Sequence, residues 1–332
     1  MTNSLEVTLR PSEAATALAT CLHACQPVCL WGAPGIGKSQ IVQQTAAAEN
    51  LACQDVRAVL LDPVDLRGLP HLGQDGRASW AIPDFLPQDG AGVLFLDELN
   101  RAPTLVQNAC FQLVLDRRLG EYVLPDGWRV AAACNRESDG GGITRMPSAL
   151  ANRFTHLHVE PDLDDWCKWA LMAGIEPLVI AFLRFRPALL HQFNREARAF
   201  PTPRSWQFVS TIVGQQPAPD VELALVAGSV GHEAGVEFMA FVSLYRSLPS
   251  IDAILLNPAS APVPSDVATL YAVSSALASR AREDNLGRVI QYLDRLPVEY
   301  SVYAVRDATT RDATLNSTPE FTAWAIAHAD VM

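Results

Sequence analysis

Apolar residues follow two different rhythms along this chain, and the change falls near residue 161. In the first half they gather into short, nearly unbroken runs. "PVCLW" is followed by a glycine-rich turn and the helical stretch "KSQIVQQTAAAEN", and "VRAVLLD", "GVLFLDE", "WRVAAACN" and "RFTHLHVE" come after it. Runs of this length and β-branched content predict strands buried on both faces of a parallel sheet. Between them, "PSEAATALATCLHAC" (residues 11–25) and "TLVQNACFQLVLD" place apolar residues at turn spacing and predict helices. Strands alternating with helices predict an α/β layer fold with a mainly parallel sheet over 1–161.

Beyond Pro161 the period becomes three to four residues. "LDDWCKWALMAG", "PLVIAFLRFRPALL", "PRSWQFVSTIVG", "VELALVAGSV", "EAGVEFMAFVSLYRSL", "DVATLYAVSSALASRAR" and "NLGRVIQYLDRL" predict an all-helical region over 162–332. "LLNPASAPVPSD" reads as a loop joining two of these helices. No internal repeat or low-complexity tract interrupts either half.

Composition narrows the classes. With 332 residues, 49% apolar and 18% charged, the chain can build a substantial core. A net charge of −11 argues against a nucleic-acid or anionic-membrane surface. No apolar run is long enough for a membrane span, and "MTNSLEVTLRPSEAA" lacks the features of a secretion signal. Seven cysteines without framework spacing predict buried thiols in a reducing cytoplasm. Cys21, Cys25 and Cys29 sit four apart, but Pro27 breaks the helix a metal site would need. His156 and His158 alternate on a strand and point to one face. His232-Glu233 lacks the second histidine of a zinc-protease helix and reads as a helix start.

The chemistry concentrates in one motif. Gly32-Ala33-Pro34-Gly35-Ile36-Gly37-Lys38-Ser39, followed by Gln40, matches the phosphate-loop pattern and stands between a strand and a helix. The glycines allow backbone N–H groups to face phosphate oxygens, and the helix N-terminus adds partial positive charge. Lys38 would reach the β- and γ-phosphates and Ser39 would ligate Mg²⁺. Asp97 ends a buried strand, where it can hold Mg²⁺, and Glu98 can orient and deprotonate water. Adjacent carboxylates at such a place favour a bound cation, although both could simply cap the next helix. Asn135 ends the next buried strand, level with Asp97, and can hydrogen-bond the attacking water or the γ-phosphate. A turn-forming Asn is the alternative.

Taken in order over residues 28–210, these segments resemble the AAA+ ATPases, and within them the MoxR family. "GAPGIGKSQ" and "DELNRAP" match the nucleotide motifs. "LLDPVDLRGLPHLGQDGRASWAIPDFLP" is similar to an insert in the second helix of that clade, and "LDRRLGEYVLPDGWRVAAACN" to the hairpin before the first sensor. "ALANRF" is similar to the arginine-finger segment and "TPRSW" to the second sensor. The resemblance implies an αβα core with a helical lid, ATP and Mg²⁺ as cofactors, and a homo-oligomer, usually a six-membered ring. It implies that Arg153 completes a neighbour's site and that Arg204, on the lid, reports the γ-phosphate. Arg145 is the competing finger, and Arg101 and Arg136 could also face the neighbour. It further implies remodelling or maturation of a client protein, with a partner carrying a von Willebrand factor A-like (VWA) domain.

Simpler roles stay open for several of these residues. Arg153 could close the last strand with a salt bridge, and Arg204 could be an exposed helix N-terminal arginine. Trp80, Phe85 and Leu86 of the insert could contact a pore or partner, or pack on their own core. Two other functions compete with the client-remodelling ATPase: a DNA-directed or clamp-loader-like AAA+ motor, and a nucleotide-gated scaffold that does not hydrolyse.

Overall fold

In the computed structural model, residues 7–72, 78–140 and 142–331 are described. The quoted insert and the glycine run before Arg145 therefore fall outside it in part, at 73–77 and 141, as does the start of the N-terminal stretch. The chain forms two compact units, residues 1–161 and 162–332.

The first unit is built on a six-stranded, wholly parallel sheet. Its strands are β1 (Thr8–Leu9), β2 (Val28–Trp31), β3 (Ala52–Arg57), β6 (Gly92–Asp97), β9 (Trp128–Cys134) and β10 (Thr155–Val159). Two small antiparallel hairpins lie outside it. One pairs β4 (Leu69–Leu72) with β5 (Ala78–Ala81), and the other pairs β7 (Arg118–Leu119) with β8 (Tyr122–Val123). The sheet order is β1-β10-β2-β9-β6-β3. Three strands are nearly solid apolar because helices cover both faces: β2, β6 and β9 are buried almost throughout. One face packs on α1 (Pro11–His23) and α2 (Lys38–Ala48) through Leu18, Ile41, Phe95 and Ala131. The other packs on α3 (Pro63–Arg67), α4 (Thr104–Asp116) and α5 (Ser148–Ala151) through Leu66, Leu94, Val106 and Leu150.

Three elements differ from the sequence-based expectation. The second strand is Ala52–Arg57 rather than "VRAVLLD", and Ala58–Leu60 is a 3-10 turn. β3 is an edge strand, so it does not need an unbroken apolar run, and its own sequence alternates weakly. A sixth strand, β1, pairs with β10 through only two residues, too few to show a periodic signal. β10 starts at Thr155, so Arg153 lies in the turn before it, where its N–H donates to Leu150 O at 3.0 Å.

Within the insert, the apolar residues divide. Leu86 is fully buried in the core and Phe85 packs against it. Trp80 is 38% exposed, above a groove it shares with Leu66, Ile82 and Tyr122.

The second unit is entirely helical among its described residues. It contains α6 (Leu163–Met172), α7 (Pro177–Phe185), α8 (Pro203–Gly214), α9 (Pro219–Val230), α10 (His232–Arg246), α11 (Ile251–Leu256), α12 (Val267–Arg280), α13 (Leu286–Leu293), α14 (Val298–Arg311) and α15 (Pro319–Ala327). Phe182, Trp206 and Phe238, each fully buried, pack ring against ring at its centre. No described helix is long and apolar enough to cross a membrane.

One buried ion pair joins α7 to α14. Arg184 donates to both carboxylate oxygens of Asp307, at 2.5 and 2.7 Å, with its guanidinium over the Tyr303 ring. Both side chains are largely buried, so removing one partner strands a charge in apolar surroundings. We expect Asp307→Ala to lower unfolding stability by about 3–5 kcal/mol, measured by guanidinium denaturation, whereas replacing both residues with apolar ones recovers most of that loss.

Candidate nucleotide site

The site begins where β2 ends. After Trp31 the chain must reverse into α2 within a few residues, and the glycines make that possible. Gly35 has φ +80° and Gly37, at the N-terminus of α2, has φ +97°, both in the left-handed region. Gly32 is required for a different reason. A Cβ there would lie 2.4 Å from Ile36 Cδ1 and 2.7 Å from the Val159 carbonyl oxygen, which belongs to a core strand. Ala33 and Ile36 are buried beneath the loop and anchor its shape. The first turn of α2 opens on N–H groups that have no partner in the helix, and these form an anion cradle.

Lys38 lies under this cradle, only 9% exposed. Its ammonium donates to Gly32 O (2.7 Å), Ala33 O (3.0 Å) and Asn135 Oδ1 (2.9 Å). Burial lowers its pKa to about 8, against the opposing pull of Asp97. Three neutral or nearby acceptors thus hold a charge that would otherwise be costly to bury.

The two motif carboxylates take different roles. Asp97 accepts from Ser39 Oγ at 2.9 Å through one oxygen and from the Glu98 N–H at 2.9 Å through the other. Ser39 and Asp97 are hard oxygen donors on neighbouring elements, and this donor set fits Mg²⁺. Glu98 has φ +53°, unusual for a non-glycine residue, which turns its side chain away from the strand. There it meets Arg101, whose guanidinium donates to both carboxylate oxygens at 3.2 Å.

Asn135 is not level with Asp97. The register pairs Leu96 with Ala132, so Asp97 stands one position past that pair and Asn135 three. The offset brings the Asn135 side chain to Lys38. Its backbone is gripped by Asn100, a residue that sequence reasoning did not single out. Asn100 Nδ2 donates to Asn135 O at 2.6 Å, and its Oδ1 accepts from the Asn135 N–H at 3.1 Å. Asn100 is 1% exposed. Its only trace in the sequence is a polar residue in the turn after the Asp-Glu pair, which alone does not indicate a partner.

Arg136, Arg153, Arg145 and Arg204 differ in what their side chains meet. Arg136 pairs with Glu160 at 2.9 Å. Arg153 is half-buried, with its guanidinium 5.8 Å from the Phe111 ring centre and its Nε without a hydrogen-bond partner. Arg145 is exposed, after a segment tied down where the Thr144 N–H donates to Asn100 O at 2.8 Å. Arg204 belongs to the second unit, exposed in the first turn of α8.

His156 connects the loop strand to the Arg153 turn. The Trp31 indole N–H donates to His156 Nδ1 at 2.7 Å, so the ring proton sits on Nε2, which donates to Ala151 O at 2.9 Å. His158 stacks on the same indole. All seven cysteines are free thiols, and Cys29 and Cys134 lie 3.4 Å apart beneath the site, with burial raising the Cys29 pKa.

Comparison with known proteins agrees with this geometry. Residues 27–154 match the family model described as the AAA domain, dynein-related subfamily. The chain is 34% identical over 182 residues to midasin of Giardia intestinalis and 33% identical over 150 residues to midasin of Dictyostelium discoideum. Those alignments cover 50% and 39% of this chain but only 4% and 2% of the relatives. Among solved structures, it is similar to NtrX of Brucella abortus in complex with ATP, with 14% identity, 98% of this chain and 69% of that one covered, and a TM-score of 0.42. It is also similar to the Thermotoga maritima RuvB Holliday junction branch migration motor, with 17% identity, coverage of 85% and 87%, and a TM-score of 0.41. The domain match supports an AAA+ ATPase core.

The lowered Lys38 pKa has a measurable consequence. Between about pH 8 and the ordinary lysine value of 10.5, the unfolded chain binds a proton that the folded one lacks, so stability rises with pH there. Relative to Lys38→Met, the nucleotide-free protein should gain up to about 1.4 kcal/mol per pH unit across that window and nothing below it. Parallel denaturation series at several pH values test this.

Proposed function

We propose that this chain is a Mg²⁺-dependent ATPase of the AAA+ class that works as a ring of identical subunits. The observation that carries this reading is the convergence of Lys38, Ser39, Asp97 and Asn135 at the end of one parallel sheet, on a loop whose glycines leave room for phosphate. Phosphoryl transfer needs charge compensation and positioning more than covalent chemistry, and this arrangement supplies both. Lys38 is held by neutral acceptors that a β,γ-phosphate would outcompete. Mg²⁺ at Ser39 and Asp97 would neutralise phosphate charge. Glu98, once free of Arg101, orients and deprotonates water, and Asn135 holds that water against the γ-phosphate.

Arg153 and Arg204 belong to this proposal as the residues that finish the site. Arg153 acts on a neighbour's nucleotide, and a finger of this kind contributes about 10³–10⁵ in rate. Its unpaired Nε, in a turn braced by Phe111 and His156, favours it over Arg145. Arg204 reads the γ-phosphate from the helical unit. We further propose a MoxR-like role in which nucleotide-driven motion remodels or matures a client protein, with a VWA-domain protein as partner, in the cytoplasm. The motif series over residues 28–210 supports this finer reading.

The deciding experiment follows ATPase rate per chain over a wide range of protein concentration, with light scattering on the same samples. A rate that climbs as large particles form is expected; a constant rate from a particle of one chain's mass contradicts a shared site. Glu98→Gln should bind ATP yet turn it over at least about a hundredfold more slowly, and near-normal turnover would remove Glu98 as the base. Mixing Arg153→Ala with Lys38→Ala should restore part of the activity that each lacks alone. Failure to complement with assembly intact would count against an arginine acting between subunits.

A further inference from the structure

We infer that Asn100 is a positioning residue for ATP hydrolysis, holding Asn135 at the water-bearing side of the site; this rests on the ATPase reading above. Its carboxamide makes a two-bond clamp on one residue's main chain, donating to Asn135 O at 2.6 Å and accepting from Asn135 N–H at 3.1 Å. With both main-chain groups held, the Asn135 backbone is placed where its side-chain oxygen accepts from the Lys38 ammonium at 2.9 Å. Asn100 lies two residues after Glu98, in the 3-10 turn that follows the αL kink. The clamp therefore sets the distance between the water-activating carboxylate and the water-holding amide, which come from different strands. The Asn100 backbone oxygen also accepts from Thr144 N–H at 2.8 Å, one residue before Arg145. A single buried residue thus joins three loops of the site.

Few side chains can do this. The group must donate to a carbonyl and accept from an amide within one short reach. Leucine offers neither bond, and glutamine is one methylene too long for the space available to a residue that is 1% exposed. Aspartate is the informative replacement. Its carboxylate can accept from the Asn135 N–H but cannot donate to the Asn135 carbonyl, whereas the protonated carboxyl can do both.

The test compares wild type, Asn100→Asp, Asn135→Ala and the double variant for ATP affinity and for kcat from pH 5 to 8. Expected for Asn100→Asp at pH 8 is unchanged ATP affinity with kcat lower by about a hundredfold, the scale of a misplaced catalytic group. Its kcat relative to wild type should recover as pH falls and the introduced carboxyl takes up a proton. The double variant should be no slower than Asn135→Ala, because one residue acts through the other. Asn100→Ala should be slow at every pH. A ratio that stays flat with pH, losses that multiply in the double variant, or loss of ATP binding in both Asn100 variants would each overturn the assignment. Absence of turnover in the wild type would instead overturn the ATPase reading itself, and the positioning role with it.

Discussion

The first unit's site is organised around one buried ammonium group. Lys38 is nearly enclosed, and a bare charge in that position would be costly to bury. It persists because two loop carbonyls and the Asn135 amide oxygen point at it. Those three acceptors come from the end of β2 and the end of β9, so the charge is satisfied only when these neighbouring strands are in register. In the ATPase proposed above, phosphate would take the place of these neutral acceptors and bring a negative charge that offsets the ammonium.

The same economy governs the carboxylates. Asp97 spends its oxygens on Ser39 and on the Glu98 amide, so the loop helix and the strand are joined before any cation arrives. Glu98 is turned into an αL conformation and held by Arg101. A residue in that sparsely populated region signals a constraint imposed by its surroundings, and here the constraint keeps the two adjacent acids from pointing at the same place. The arrangement separates the Asp97 carboxylate, which meets Ser39, from the Glu98 carboxylate, which meets Arg101.

Around this centre, the arginines show how sequence order and spatial role part company. Arg101 and Arg136 directly follow the motif residues, and both are engaged within their own unit, with Glu98 and Glu160. Arg153 lies further along, and its turn is tied by the Trp31–His156–Ala151 hydrogen-bond chain to the strand that leads into the phosphate loop. The guanidinium stacks on Phe111 with one N–H unspent.

What the sequence determined by itself was whatever local patterning controls. Unbroken apolar runs marked β2, β6 and β9 because strands buried on both faces need them, and three- to four-residue spacing marked the helices beyond Pro161. The Gly-Lys-Ser loop was legible because Gly35 and Gly37 are demanded by left-handed backbone angles and Gly32 by close packing, all within six residues of one another. Edge strands were not: β3 was read several residues late and β1 went unread, since an edge needs little apolar burial and leaves little pattern. The pairings of the site were beyond reach for a related reason. Lys38 meets Asn135 across 97 residues and Asn100 grips Asn135 across 35. Such contacts depend on strand order and on a register that sets Asn135 two positions beyond the level of Asp97, and only the packed sheet decides that.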